Sequence, residues 1–137
     1  MAITIEAAQQ ILEENFADWV RDLGLDIVET REDGITMRVA FSPRLCRIGG
    51  IMCGQALISA ADTAMVIALA NANGGMRAMT TVDLTSNFMR PIKDEDAVVV
   101  AKVVRSGRTL AFCTTEIKGL HNGKICAYAT GTYAILD

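Results

Sequence analysis

GGIMCGQALISAADTAMVIALANAN, residues 49–73, decides how the rest of the sequence is read. Three glycines, Gly49, Gly50 and Gly54, open it, and a nearly unbroken apolar run follows. From Ala56 to Ala70 the residues are apolar on every side of a helical wheel, the pattern of a buried helix. Its one charge is Asp62. An acid inside such a helix is costly unless it is paired or used.

The length suits a membrane span. Yet Gln55, Ser59, Asp62, Thr63 and Asn71 interrupt the run, and neither a basic flank nor a second span supports insertion. Two readings stay open on the pattern alone. One is a core helix whose Asp62 is satisfied by backbone or hydroxyl partners. The other is a helix carrying a catalytic carboxylate.

The 137 residues are enough for one domain with a real core. Half of them (51%) are hydrophobic and only 21% are charged, which is apolar for a lone small domain, so a homo-oligomer is expected. A net charge of −3 gives no polybasic case for nucleic acid or a membrane surface. Few aromatics argue against a single-strand stacking platform. Cys46, Cys53, Cys113 and Cys126 form no CxxC pair, and one histidine leaves little for a zinc site. The N-terminus lacks the basic-then-apolar layout of a secretory signal, so reduced thiols and a cytoplasmic setting are expected.

Outward from the central run, residues 1–23 read as an N-terminal helix, with Thr4 as N-cap and Gly24 as stop. Leu25–Thr30 and Ile35–Phe41 alternate around Glu32-Asp33-Gly34, a hairpin signal. Residues 45–52 read as a glycine-bearing loop, and 54–73 as the central helix, ended by Gly74-Gly75. Four strand-like runs follow, Thr80–Met89, Ala97–Val104, Thr109–Lys118 and Lys124–Ile135. Short turns link the last strands, so an antiparallel meander is expected. A helix apolar all round must be wrapped by this sheet, and a second subunit is the economical cover for its remaining side.

No GxSxG elbow, Walker loop or dinucleotide fingerprint is present, and His121 sits in a turn, which removes a Ser-His-Asp triad. What remains is Asp62 and the start of the central helix at Gly54. A helix N-terminus offers unpaired N–H groups and partial positive charge, suited to a developing oxyanion. Gly54 carries no side chain to block a carbonyl. Asp62 lies eight residues further on, roughly 12 Å along the axis, too far for both to act on one carbonyl within one chain. Two such helices, antiparallel across a two-fold axis, would set Asp62 of one chain against Gly54 of the other. Ala60, Ala61, Ala64 and Ala68 would permit that approach, or equally a tight packing on the sheet.

Gly50, Cys53-Gly54-Gln55 and Asp62-Thr63-Ala64, then Thr81-Val82-Asp83-Leu84, Asn87-Phe88-Met89-Arg90-Pro91 and Arg105-Ser106-Gly107-Arg108-Thr109, form an ordered set. It resembles the hotdog-fold acyl-CoA thioesterases of the phenylacetate-degradation type, within the 4-hydroxybenzoyl-CoA thioesterase superfamily. The resemblance implies an α+β hotdog fold, an antiparallel sheet wrapped around a long central helix, here with an extra N-terminal helix. It implies a homodimer or homotetramer that hydrolyses an acyl-CoA, with coenzyme A as part of the substrate and no other cofactor or metal. Asp62 would be the nucleophile or the base that activates water, the Gly54 N–H would polarise the carbonyl, and Thr81 would place a hydroxyl near the carboxylate. Arg90, Arg105 and Arg108 become candidates for the phosphates of coenzyme A.

The chain departs from the family pattern at its entry to the helix. The usual His-Gly-Gly is Cys53-Gly54-Gln55, and an upstream Asn is Arg47. Cys53 at a helix N-terminus introduces a thiol as an alternative nucleophile. Gln55 either crowds the substrate or adds a donor, and Arg47 adds a cation for Asp62 or an acidic acyl group. The altered segment keeps a non-catalytic acyl-CoA-binding protein as the first alternative. A dehydratase ranks last, because it needs a histidine beside the acid.

Overall fold

The computed structural model describes residues 1–137. Thr4 caps α1 (Ile5–Asn15), its Oγ1 accepting from the Ala7 N–H at 3.0 Å. The helix does not run on to Leu23. Phe16 is extended, and one further turn, α2 (Asp18–Arg21), follows. The Asn15 side chain donates back to the Ile11 carbonyl at 3.0 Å, competing for an acceptor of the helical ladder. Gly24 is not the helix stop: α2 ends at Arg21 with Asp22 as its C-cap, and Gly24, with φ +78°, turns the chain into the first strand.

The first hairpin, β1 (Leu25–Arg31) and β2 (Gly34–Val39), forms around the expected turn. A 3₁₀ turn (Pro43–Leu45) then leads to a two-residue-per-strand hairpin, β3 (Cys46–Arg47) with β4 (Ile51–Met52). Gly49 and Gly50 make its turn with φ of +100° and +73°, a backbone that side chains resist. The central helix, α3 (Gly54–Ala72), follows, and then β5 (Met79–Phe88), β6 (Ala97–Ser106), β7 (Leu110–Gly119) and β8 (Ile125–Ile135).

Six strands make one sheet in the order β1-β2-β6-β7-β8-β5, every pair antiparallel. The expected meander holds for β6-β7-β8. It does not extend to β5, which pairs with β8 at the far edge. The segment after β5 therefore crosses back to reach β6, burying Ile92 completely and accepting the Met52 N–H at the Ile92 carbonyl on the way. The reason is geometric: α3 runs across one face of the sheet between β2 and β5, so the chain re-enters the sheet at its far edge.

α3 is long and apolar enough to cross a membrane, yet 72% of its apolar window is buried in this fold. Ala60, Ala61, Ala64 and Ala68 are fully buried against the sheet, along with Met65, Ile67 and Leu69. The alanines thus serve sheet packing, the second of the two uses weighed for them. Each buried Leu, Ile or Met contributes roughly 1.5–3 kcal/mol. Buried Asn71 is satisfied near the end of the helix. It accepts from the Ile3 N–H at 2.8 Å and donates to the carbonyls of Arg31 and Gly34.

Asp96 ties the start of β6 to the end of β2. The Phe41 N–H donates to its Oδ1 at 2.7 Å and Arg38 Nε to its Oδ2 at 2.6 Å. The Phe41 N–H foremost, and then Arg38, hold this carboxyl below its ordinary 3.8, against the opposing effect of burial. A carboxylate held low stabilises the fold above its unfolded-state value and loses that contribution as pH falls through the folded one. Asp96→Asn should lower stability at about pH 7 and have little effect at about pH 2. Urea midpoints at the two pH values check this, and an equal penalty at both would contradict it.

The four cysteines are free; Cys113 and Cys126 are buried, Cys46 and Cys53 half-buried. Burial pushes the Cys113 thiol up to about 12. Alkylation with iodoacetamide at about pH 8 should spare Cys113 in the folded protein and modify it after unfolding, as read by peptide mass mapping. Ready modification of native Cys113 would refute its burial.

Candidate active site

The part of α3 left uncovered by its own sheet is a single stripe. Gln55 is exposed, and Ile58, Ser59, Asp62 and Val66 are half-buried. These positions fall at helical spacing on one face. The acid that looked anomalous in an apolar helix therefore sits where the helix meets the surface.

Two hydroxyls reach the Asp62 carboxylate. Thr81 Oγ1 donates to Oδ1 at 3.3 Å and Tyr133 Oη donates to the same oxygen at 2.7 Å. Oδ2 accepts no hydrogen bond from this chain. Thr81 reaches the helix because β5 carries a bulge between Thr81 and Asp83. Leu84, Ser86 and Phe88 are opposite Gly131, Ala129 and Ala127, on the helix-facing side. Strict alternation from Leu84 would place Val82 and Thr80 on that face. The extra residue at Val82 re-aims Thr81 instead, so that it lies opposite Tyr133.

Tyr133 was not anticipated. In the alternating pattern of β8 it reads as one more core residue, and it is completely buried. Burial, and then the Asp62 charge, raise its hydroxyl far above the ordinary 10, so it stays a protonated donor. The signal that could have exposed it is Gly131, a glycine in mid-strand, which marks a close approach.

At the other end of the stripe, Gly54 is the first residue of α3, preceded by Cys53 in an extended conformation. No side chain caps this end. Gly54 lines a cavity of about 330 Å³ with Arg47, Met52, Leu57, Phe88, Arg90 and Ile92. Phe88 lies against the glycine; a methyl there would meet its Cζ at 3.4 Å.

The structure thus sorts the expected site residues into groups. Asp62 and Thr81 are in contact. Gly54, Arg47 and Arg90 share the cavity, with Cys53 and Gln55 flanking Gly54 in the chain. Cys53 packs half-buried against the core, and Gln55 is exposed. The Arg90 guanidinium is engaged, donating to the Ile125 carbonyl at 2.8 Å, and Arg47 donates to the Ile48 carbonyl at 3.0 Å. Arg105 and Arg108 join neither group. They are exposed at the β6–β7 turn, and Arg105 is paired with Phe112 on the sheet face away from α3. That turn lies at the same end of the sheet as Thr81, since Ser106, Ala111, Tyr133 and Thr81 form one row across four strands. His121 is a turn residue, its backbone N–H donating to Glu95 Oε1 at 2.6 Å.

Residues 49–126 match the sequence profile of the thioesterase superfamily. A Thermoplasma volcanium protein named as an esterase is 32% identical over 111 residues, covering 75% of this chain and 76% of its own length. One from Thermoplasma acidophilum, also named as an esterase, is 29% identical over 126 residues, 85% of this chain and 87% of its own. Among solved structures, a Haemophilus influenzae thioesterase superposes with a TM-score of 0.86 at 21% identity, covering 100% of this chain and 93% of that one. The E. coli PaaI protein from the phenylacetic acid degradation operon gives 0.82 at 22% identity, with coverages of 97% and 96%. Sequence profile, relatives and superposition converge on the same architecture, a sheet curved around one long helix with an N-terminal helix beside it: the chain belongs to the thioesterase superfamily, has its hotdog fold, and is a hydrolase.

Proposed function

We propose that this protein hydrolyses the thioester of an acyl-CoA in a site shared by two copies of the chain, with Asp62 as the acting carboxylate. The observation that carries the reading is the Asp62 side chain on the one uncovered stripe of α3, with Oδ1 held by hydroxyls and Oδ2 free of donors from its own chain. Oδ2 either attacks the thioester carbonyl, displacing the thiolate to give an acyl-aspartyl anhydride that water then hydrolyses, or takes a proton from a water that attacks the carbonyl directly. The coenzyme A thiolate leaves readily, so the site needs no strong general acid.

The carbonyl oxygen needs a donor that Asp62's own neighbourhood lacks. The uncapped start of α3 supplies one at Gly54, but roughly 12 Å away along the same helix. A two-fold partner with antiparallel helices closes that gap, and Gly54 of the partner subunit then faces Asp62. Supporting such a pairing, β5 is an edge strand of ten residues with no neighbour on its outer side. Val82 and Phe88 on it are more than half exposed. A long, bare edge is a ready template for another strand. The same pairing would bring the cationic end of the cavity, Arg47 and Arg90, toward the end of the sheet that carries Arg105 and Arg108. Such a cluster suits the phosphates of coenzyme A. Cys53, Gln55 and Arg47 then distinguish this chain's substrate entry. Four free thiols fit a reducing, cytoplasmic setting.

A panel of acyl-CoA esters followed with a thiol reagent tests the chemistry. Asp62→Asn should lower kcat/KM by about 10²–10⁴-fold; unchanged turnover would remove Asp62 from the mechanism. Gly54→Ala should keep the fold, because its methyl meets Phe88 at 3.4 Å, an ordinary contact. It should still cost about tenfold or more in turnover by crowding the carbonyl. Sedimentation should give a dimer or a dimer of dimers, and a monomer with full activity would sink the shared site.

A further inference from the structure

We infer that Tyr133 is a positioning residue for the hydrolysis, fixing the Asp62 carboxylate in one orientation by holding Oδ1 and so presenting Oδ2. The inference rests on the reading of Asp62 given above. Asp62 is half-buried on the stripe of α3 that its own chain leaves uncovered, and its Thr81 partner is exposed on the edge strand of this chain, 3.3 Å away. Tyr133 is the more firmly seated partner. It is fully buried, and its ring occupies a slot that exists because residue 131 has no side chain. A methyl at Gly131 would stand 2.8 Å from Tyr133 Cε2, 2.9 Å from its hydroxyl oxygen and 3.0 Å from Met65 Cε.

The slot aims the hydroxyl at Asp62 and at nothing else. Its acceptors are Oδ1 at 2.7 Å and, more weakly, the Asp62 carbonyl at 3.5 Å. A buried hydroxyl deprived of its acceptor is costly, so the pair restrains the carboxylate as firmly as the phenol. Two titratable groups face Tyr133: Asp62 from α3 and Cys113 from β7. Cys113 is neutral, its thiol pushed up to about 12 by burial. The Tyr133 hydroxyl therefore donates throughout the working range.

Tyr133→Phe removes the hydroxyl and keeps the ring in its slot. The variant should fold and lose roughly tenfold in kcat with KM changed by less than about twofold. A folded variant with unchanged kcat would reduce Tyr133 to a packing residue. In an Asp62→Asn background the same change should have no further effect; an additional tenfold loss would show that Tyr133 acts independently of Asp62. Replacing both tyrosines, Tyr128 and Tyr133, by 3-fluorotyrosine covers the case in which the phenylalanine variant does not fold. The stronger donor should change kcat by about twofold or more with KM unchanged, and an unaltered kcat would overturn the inference. If the wild type hydrolyses no ester, the thioesterase reading fails by itself. Crystal structures of wild type and Tyr133→Phe then decide the positioning role: Asp62 should spread over several rotamers in the variant, and a single unchanged rotamer would overturn it.

Discussion

A helix without a polar face has to be enclosed, and enclosing α3 sets most of this fold. Its buried alanines bring it close to the sheet, and its larger residues reach into the curve of β2, β6, β7 and β8. Six twisted strands wrap most of a helix but not all of it. The uncovered stripe, from Gln55 to Val66, is the remainder of that geometry, and it is where the acid was placed. Fold and candidate site are consequences of one constraint, because the same enclosure that shelters the core defines the face left open.

Much of this was legible in the chain because the signals are local. Asn122-Gly123, Ser106-Gly107 and Asp33-Gly34 punctuate the strands, and the strand limits beside them fall within about three residues of those turns. Asp62 stood out because a charge in an apolar helix is energetically conspicuous. The placement of β5 beyond β8 was not legible, since strand order depends on where a crossing helix delivers the chain and not on any neighbouring residue. The break at Phe16 was hidden for a related reason: helical spacing continues through it, and only the Asn15 side chain competes with the ladder.

The site was legible in part. Thr81 was expected near Asp62 from family resemblance, yet its own strand parity argues otherwise, and the bulge at Val82 is what reconciles the two. Arg105 was expected as a phosphate ligand from family resemblance, and only the register shows which face of the sheet it occupies, the outer one. Tyr133 was hidden because alternation assigns it correctly to the interior and says nothing of where its hydroxyl ends. Family resemblance carried the fold further than it carried the site, since a hotdog sheet tolerates much substitution, whereas Cys53-Gly54-Gln55 alters the chain beside the oxyanion candidate itself.

Gly131 and Tyr133 are neighbours on one face of one strand, and the ring of one fills the space that a side chain on the other would occupy. They form a single packing unit. Across related chains, a residue larger than glycine at the first position is compatible only with a smaller or shorter partner at the second, so the two should change together or not at all. Drift in this pair would leave the sheet intact and alter the seat of the acid, giving such proteins a route to diverge in chemistry while remaining indistinguishable in fold.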